Sequence, residues 1–128
     1  MKSVLISIQP KWCELIANSK KTVEVRKTKP KLETPFKCYI YCTANNKGTH
    51  DLLEIHNTQG KIYKANSKVI GEFICKGIGT FGWTSKGEKF YEWVISDLRF
   101  YDKPKGLSEV GLKRPPQSWC YVEESANE

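Results

Sequence analysis

The densest chemistry in the chain lies in eight residues, Ser19-Lys20-Lys21-Thr22-Val23-Glu24-Val25-Arg26. With a strand over residues 22–26, Val23 and Val25 take one face. Thr22, Glu24 and Arg26 take the other, and Lys21 sits in the turn just before. Two cations beside one carboxylate hold it ionised and restrain the guanidinium. Such a trio can bind: Lys21 and Arg26 reach for a phosphate or a base acceptor, and Glu24 accepts from an exocyclic amine. It can also catalyse: a lysine of lowered pKa activates water or a neighbouring hydroxyl, and Glu24 shuttles the proton. The same spacing equally fits a solvated ladder of opposite charges on a sheet surface, which is energetically minor.

Other candidate motifs carry less. Gly77-Ile78-Gly79-Thr80-Phe81-Gly82 fits G-x-G-x-x-G. Turn residues follow it where a dinucleotide fold needs a helix, so a strand bent by glycine is the expectation. His50 and His56 flank Asp51 and Glu54, but six residues span about 600° of helix and do not bring two imidazoles to one face. The five cysteines, at 13, 38, 42, 75 and 120, are an odd number set among apolar residues. Reduced, buried thiols are expected. Cys38-x3-Cys42 has no second Cys/His pair at zinc spacing, so neither metal nor cofactor is expected.

The elements that must position the trio follow from periodicity. Val4, Ile6 and Ile8 alternate as a short strand. Pro10 then opens a helix bearing Trp12, Leu15 and Ile16, closed by Asn18-Ser19 with Asn18 as a left-handed cap. Residues 22–26 are the second strand, and Lys27–Pro35 is a basic connection. Phe36–Thr43 is a strongly β-prone strand. Residues 44–68 read as a polar surface excursion with a short helix near Asp51–His56. Val69–Cys75, continued by Gly77–Gly82, and Phe90–Tyr101, broken near Ser96-Asp97, are further strands. Lys103–Leu112 holds a loop with a short helix, Trp119–Val122 is the last strand, and 123–128 is a frayed acidic tail.

With 128 residues, the chain is the size of one domain spanning 1–128. It is too short for a two-domain dehydrogenase or a (β/α)₈ barrel. No apolar run approaches the ~18–20 residues of a membrane span, and the N-terminus lacks a signal-peptide pattern. A cytoplasmic protein without membrane attachment is expected. Lys+Arg outnumber Asp+Glu by 21 to 14, a formal charge of +7. Nine basic and three acidic residues fall within 1–37. That excess fits an acidic partner such as nucleic acid, and fits a lysine-rich solvated surface equally well. In the binding case, Lys11, Lys20, Lys27, Lys29, Lys31, Lys113 and Arg114 form a diffuse attractive rim. Trp12 or Trp119 supplies a stacking face. Both tryptophans also fit a core: Trp12 shares a helical phase with Leu15 and Ile16, and Trp119 alternates with Tyr121.

Lys21, Glu24 and Arg26 match the G-x-K-x-x-E-x-R motif of the ASCH domain family, within the PUA-like superfamily, with Ser19 where that family usually has glycine. The opening VLISIQPKWCELIANSKKTVEVRK resembles the start of small ASCH proteins. Trp93–Pro104 resembles their penultimate segment, and Pro115–Val122 their end. Residues 44–68 carry no resemblance. The likeness implies an α+β fold: a PUA-like small β-barrel of five to seven strands with one main N-terminal helix and short flanking helices. It implies a cleft beside the helix, lined by Lys21, Glu24 and Arg26, that takes RNA or a modified nucleoside. Some small members hydrolyse N4-acylated cytidine, using the motif lysine, a threonine at the position of Glu24 and a distal glutamate. This chain keeps Lys21 but has Glu24 in place of that threonine, with Thr22 two residues away. Other members are described as ribonucleases. The expectation is therefore a monomeric binding module for RNA or a nucleoside. A hydrolase using Lys21 and Glu24 is the alternative, and a protein-binding adaptor working through 44–68 is a third reading.

Overall fold

A computed structural model describes residues 2–44, 54–56, 62–83 and 86–124. Its elements in chain order are β1 (Lys2–Ile8), α1 (Pro10–Ala17), β2 (Val23–Arg26), β3 (Phe36–Cys42), β4 (Glu54–His56), β5 (Ile62–Lys64), β6 (Lys68–Trp83), β7 (Lys89–Lys105), a 3₁₀ turn (Leu107–Val110) and β8 (Trp119–Glu123). Six strands form one mixed sheet in the order β2-β7-β6-β3-β1-β8, and β4 and β5 form a separate antiparallel pair. β1 runs parallel to β3, so the chain between them must cross over, and α1 and β2 make up that crossover. The remaining ladders of the large sheet are antiparallel.

The sheet buries both faces. Val4, Ile6 and Ile8 pack with Cys13 and Ile16 of α1 and with Cys38, Ile40, Phe73 and Trp93. Leu5, on the opposite face of β1, packs with Tyr39, Tyr41, Val69, Tyr101 and Val122 under the 3₁₀ turn. Each fully buried aliphatic or aromatic side chain contributes about 1.5–3 kcal/mol. β1 is therefore a firm base for the residues that follow it.

The expected barrel is not found. The sheet ends at β2 on one side and β8 on the other, and no ladder joins these edges among the described residues. A barrel requires its first and last strands to pair. Here β2 has four residues, all paired with β7, and from its far edge the Arg26 side chain donates to Ser7 O of β1. The count of short strands pointed to a barrel, but β6 and β7 are single strands of 16 and 17 residues. Their pairing shifts register at four places, including Cys75/Ile78 beside the glycines, and such bulges bend a sheet without closing it. Ser96 and Asp97 do not break β7; Asp97 is accommodated at φ 49°.

Two smaller expectations also change. Glu54–His56 is strand rather than helix, while residues 45–53, with His50 and Asp51, lie outside the described residues. β8 continues through Glu123, and Glu124 accepts hydrogen bonds from Lys37 and Tyr39. Residues 125–128 lie outside the described residues.

Candidate functional site

Where the sheet does not close, a cleft of about 610 Å³ opens between β1, α1 and β2. Lys21, Glu24, Arg26 and Trp12 all line it. Ser7, Ile8, Gln9, Val25, Thr43, Ala44 and Gln117 complete the lining. Local sequence reasoning missed this second group because it comes from four separate chain segments. Only the tertiary arrangement brings Thr43, after β3, and Gln117, before β8, to the wall.

The end of α1 sets Lys21. Lys20 and Lys21 N–H both donate to Leu15 O, at 2.9 and 3.1 Å, and Ser19 N–H donates to Ile16 O at 3.1 Å. The left-handed residue is Ser19, at φ 58°, and not Asn18, at φ −91°. A serine there carries a left-handed strain of about 1–2 kcal/mol that glycine avoids, against about 0.5–1 kcal/mol of added chain entropy. Ser19→Gly is expected to raise stability by about 0.5–1 kcal/mol, seen as a rise of about 2–4 °C in the thermal midpoint. A lowered midpoint would contradict this account of the turn.

Glu24 sits at the floor of the cleft with only 3% of its surface exposed. Its Oε2 accepts from Arg26 Nη1 at 2.5 Å, and its Oε1 lies 3.3 Å from Lys21 Nζ. Lys21 is close enough for ion pairing, yet Oε1 receives no hydrogen bond among the described residues. Arg26 is committed elsewhere. Nη1 also donates to Val25 O at 2.9 Å, and Nη2 donates to Ser7 O at 2.7 Å, tying β2 to β1 across the open edge. Trp12 is 41% exposed, so its ring is not part of the core. Lys11 and Lys21 place their ammonium groups 5.0 and 5.4 Å from its centroid.

Trp119 is placed away from the cleft. It packs edge-on against Trp93 and Tyr121, and its Nε1 donates to Thr28 Oγ1 at 2.9 Å. Lys11, Lys20, Lys27, Lys29, Lys31, Lys113 and Arg114 are all exposed, and none lines the cleft. Lys27 pairs with Glu88 at 3.5 Å, and Lys29 lies over Tyr91. Thr22 is exposed and outside the lining, with its carbonyl accepting from Ile95 N–H.

Behind the cleft floor, the Cys13 thiol is held far above its ordinary range, first by its hydrogen bond to Cys42, then by burial and by the charges of Cys42 and Glu24. A thiol so protonated is a poor nucleophile. No group of three His, Cys, Asp or Glu residues suited to a metal occurs among the described residues, and no helix there is long and apolar enough to cross a membrane.

No family model matches the chain, and no curated protein matches it. Solved structures do. The ASCH protein of Zymomonas mobilis is 20% identical, with a TM-score of 0.66 over 95% of this chain and 88% of that one. A point mutant of it is 18% identical, with a TM-score of 0.67 over 97% and 92%. A second mutant is also 18% identical, with a TM-score of 0.66 over 95% and 89%. At this identity the likeness speaks to the fold: the chain has the architecture of an ASCH protein, as the motif and both flanks led us to expect.

Proposed function

We propose, starting from the ASCH architecture and the geometry of its cleft, that the protein binds a nucleobase of RNA or of a modified nucleoside in this cleft. The observation that carries the reading is Glu24 Oε1, a buried carboxylate oxygen on the cleft floor without a hydrogen bond. A buried acceptor without a hydrogen bond costs about 1–3 kcal/mol, which a ligand N–H would recover once the Lys21 ammonium, 3.3 Å away, moves aside to admit it. Lys21 Nζ beside it offers a donor, so floor and wall together match an amine next to a ring or carbonyl acceptor, the pattern on a base edge. Trp12 supplies an exposed aromatic face, and base stacking on such a face is worth about 1–3 kcal/mol. Arg26 spends its Nη groups within the protein and acts as the strut that fixes Glu24.

Trp12→Ala is expected to weaken binding of a short single-stranded RNA about 10- to 100-fold, read by fluorescence anisotropy, with little change in stability because the ring is exposed. Lys21→Ala is expected to weaken it as well. Wild-type affinity in both variants across a salt series would remove the cleft as the site.

The hydrolase alternative keeps one specific support: a hydroxyl-bearing residue, Thr43, lines the same cleft as the Lys21–Glu24 pair. Thr22 does not. Incubating the protein with N4-acetylcytidine and with short RNA, followed by mass spectrometry, reads this directly. Product that disappears in Thr43→Ala would favour catalysis over binding alone.

A further inference from the structure

Two segments leave the cleft side by side. One begins at Gln117 on the cleft wall and continues through Trp119 and Tyr121 of β8. The other begins at Arg26 and continues through Thr28 to Lys31. They are joined at successive rungs: Trp119 Nε1 donates to Thr28 Oγ1 at 2.9 Å, and Lys31 N–H donates to Tyr121 Oη at 2.8 Å. The second rung holds the Tyr121 ring in place while leaving it 39% exposed, with Lys2 Nζ 5.1 Å from its centroid. Lys29 lies over Tyr91, the ladder partner of Arg26. Lys27, Lys29 and Lys31 alternate along the loop against a single acidic residue, Glu33.

Core packing accounts for Trp119, which rests on Trp93. It does not account for a fixed, exposed tyrosine at the end of a lysine strip that starts at the cleft. Charge and continuity with the cleft point to one occupant. Resting on the reading of the cleft as a nucleobase site, we propose that this strip carries the nucleotides flanking the bound base. Single-stranded RNA leaves the cleft between Arg26 and Gln117, its phosphates near Lys29 and Lys31, and one base stacks on Tyr121. The four residue steps from Gln117 to Tyr121 span about 13 Å at ~3.3 Å each in extended chain, room for about 4 nucleotides at a stacked rise of ~3.4 Å.

The test uses the full chain, a fluorescein-labelled random-sequence hexaribonucleotide, and ribonucleoside monophosphates as competitors. In the wild type, unlabelled hexamer is expected to compete at about tenfold lower concentration than the best monophosphate. The double variant Lys29→Ala/Lys31→Ala, whose changes are at exposed positions, is expected to lose about tenfold in hexamer affinity. It should also flatten the plot of log affinity against log salt by about 1.4, at ~0.7 per lost phosphate contact. Monophosphate binding should be unchanged. If monophosphates bind the wild type but the hexamer gains nothing, or the double variant binds hexamer as the wild type does, the strip is overturned and the cleft stands. If neither probe binds, the cleft reading fails and the strip with it. Displacement of the hexamer by hexaglutamate as readily as by RNA would assign the strip to an acidic protein segment instead.

Discussion

Glu24→Ala is expected to lower the free energy of unfolding by about 3 kcal/mol, measured by urea titration of tryptophan fluorescence. Removing one member of a buried ion network costs about 3–5 kcal/mol, because the charges left behind lose their partner without regaining full hydration. Lys21 and Arg26 keep 21% and 19% of their side chains exposed, so some hydration returns and the lower end of that range applies. Against a typical total of about 5–15 kcal/mol the loss is large. Arg26 would still hold Val25 O and Ser7 O, which limits the damage to one edge of the sheet. Glu24→Gln separates stability from function. Its amide oxygen can still accept from Arg26, so the fold loses less, about 1–2 kcal/mol, the difference between a charged and a neutral hydrogen bond. Oriented that way, the amide turns an NH₂ group toward the cleft where the proposed ligand needs an acceptor, so RNA affinity should fall in a protein that still folds. A Glu24→Ala variant within 1 kcal/mol of wild type would mean that the three charges behave as a solvated surface ladder.

That outcome bears on how much the sequence reveals. The convergence of Lys21, Glu24 and Arg26 was legible, since a turn followed by a two-residue period places them on one side whatever surrounds them. Which side faces inward was not. Alternation in VEVR marks the valines as the apolar face, yet Glu24 is the most buried of the four and both valines are only partly covered. The open edge of the sheet explains the inversion: β2 turns Glu24 toward β1, where Arg26 reaches the Ser7 carbonyl, and no local pattern encodes a contact 19 residues away. Trp12 shows the opposite failure. Its helical phase matched Leu15 and Ile16, but α1 begins at the lip of the cleft, and a side chain in a first turn can clear the core that later turns cover. Ser19 was the more informative departure from the motif, because its positive φ gives the physical reason a glycine is usual there. The strands were legible as segments. Their closure was not, since pairing between β2 and β8 depends on bulges and strand lengths that composition does not fix.

Trp93 ties that unclosed edge to the core, and its replacement by alanine is expected to be as damaging as any single change near the site. The side chain is fully buried, with Phe36 at 6.0 Å and Trp119 at 5.8 Å, both edge-on. It faces Glu24 across the β2–β7 ladder. Truncating a core tryptophan to alanine costs about 3–5 kcal/mol, from lost transfer free energy plus the cavity left behind. The aromatic contacts add about 0.5–1.5 kcal/mol each where the partners cannot repack. Trp93→Phe should be far milder, below about 2 kcal/mol. The indole Nε1 is buried without a hydrogen-bond partner among the described residues, so removing it relieves a desolvation cost of about 1–3 kcal/mol that offsets part of the lost volume. Equal costs for the two variants in urea unfolding would contradict this account, because alanine removes far more of the buried volume than phenylalanine does. The loss should also travel: without Trp93, Trp119 loses its packing partner, and the Trp119–Thr28 bond that anchors the basic loop loses its support. Trp93→Phe keeps an aromatic ring under Trp119, so it should preserve binding of the hexaribonucleotide. Trp93→Ala should weaken hexamer binding more than monophosphate binding when compared at a temperature where both variants remain folded.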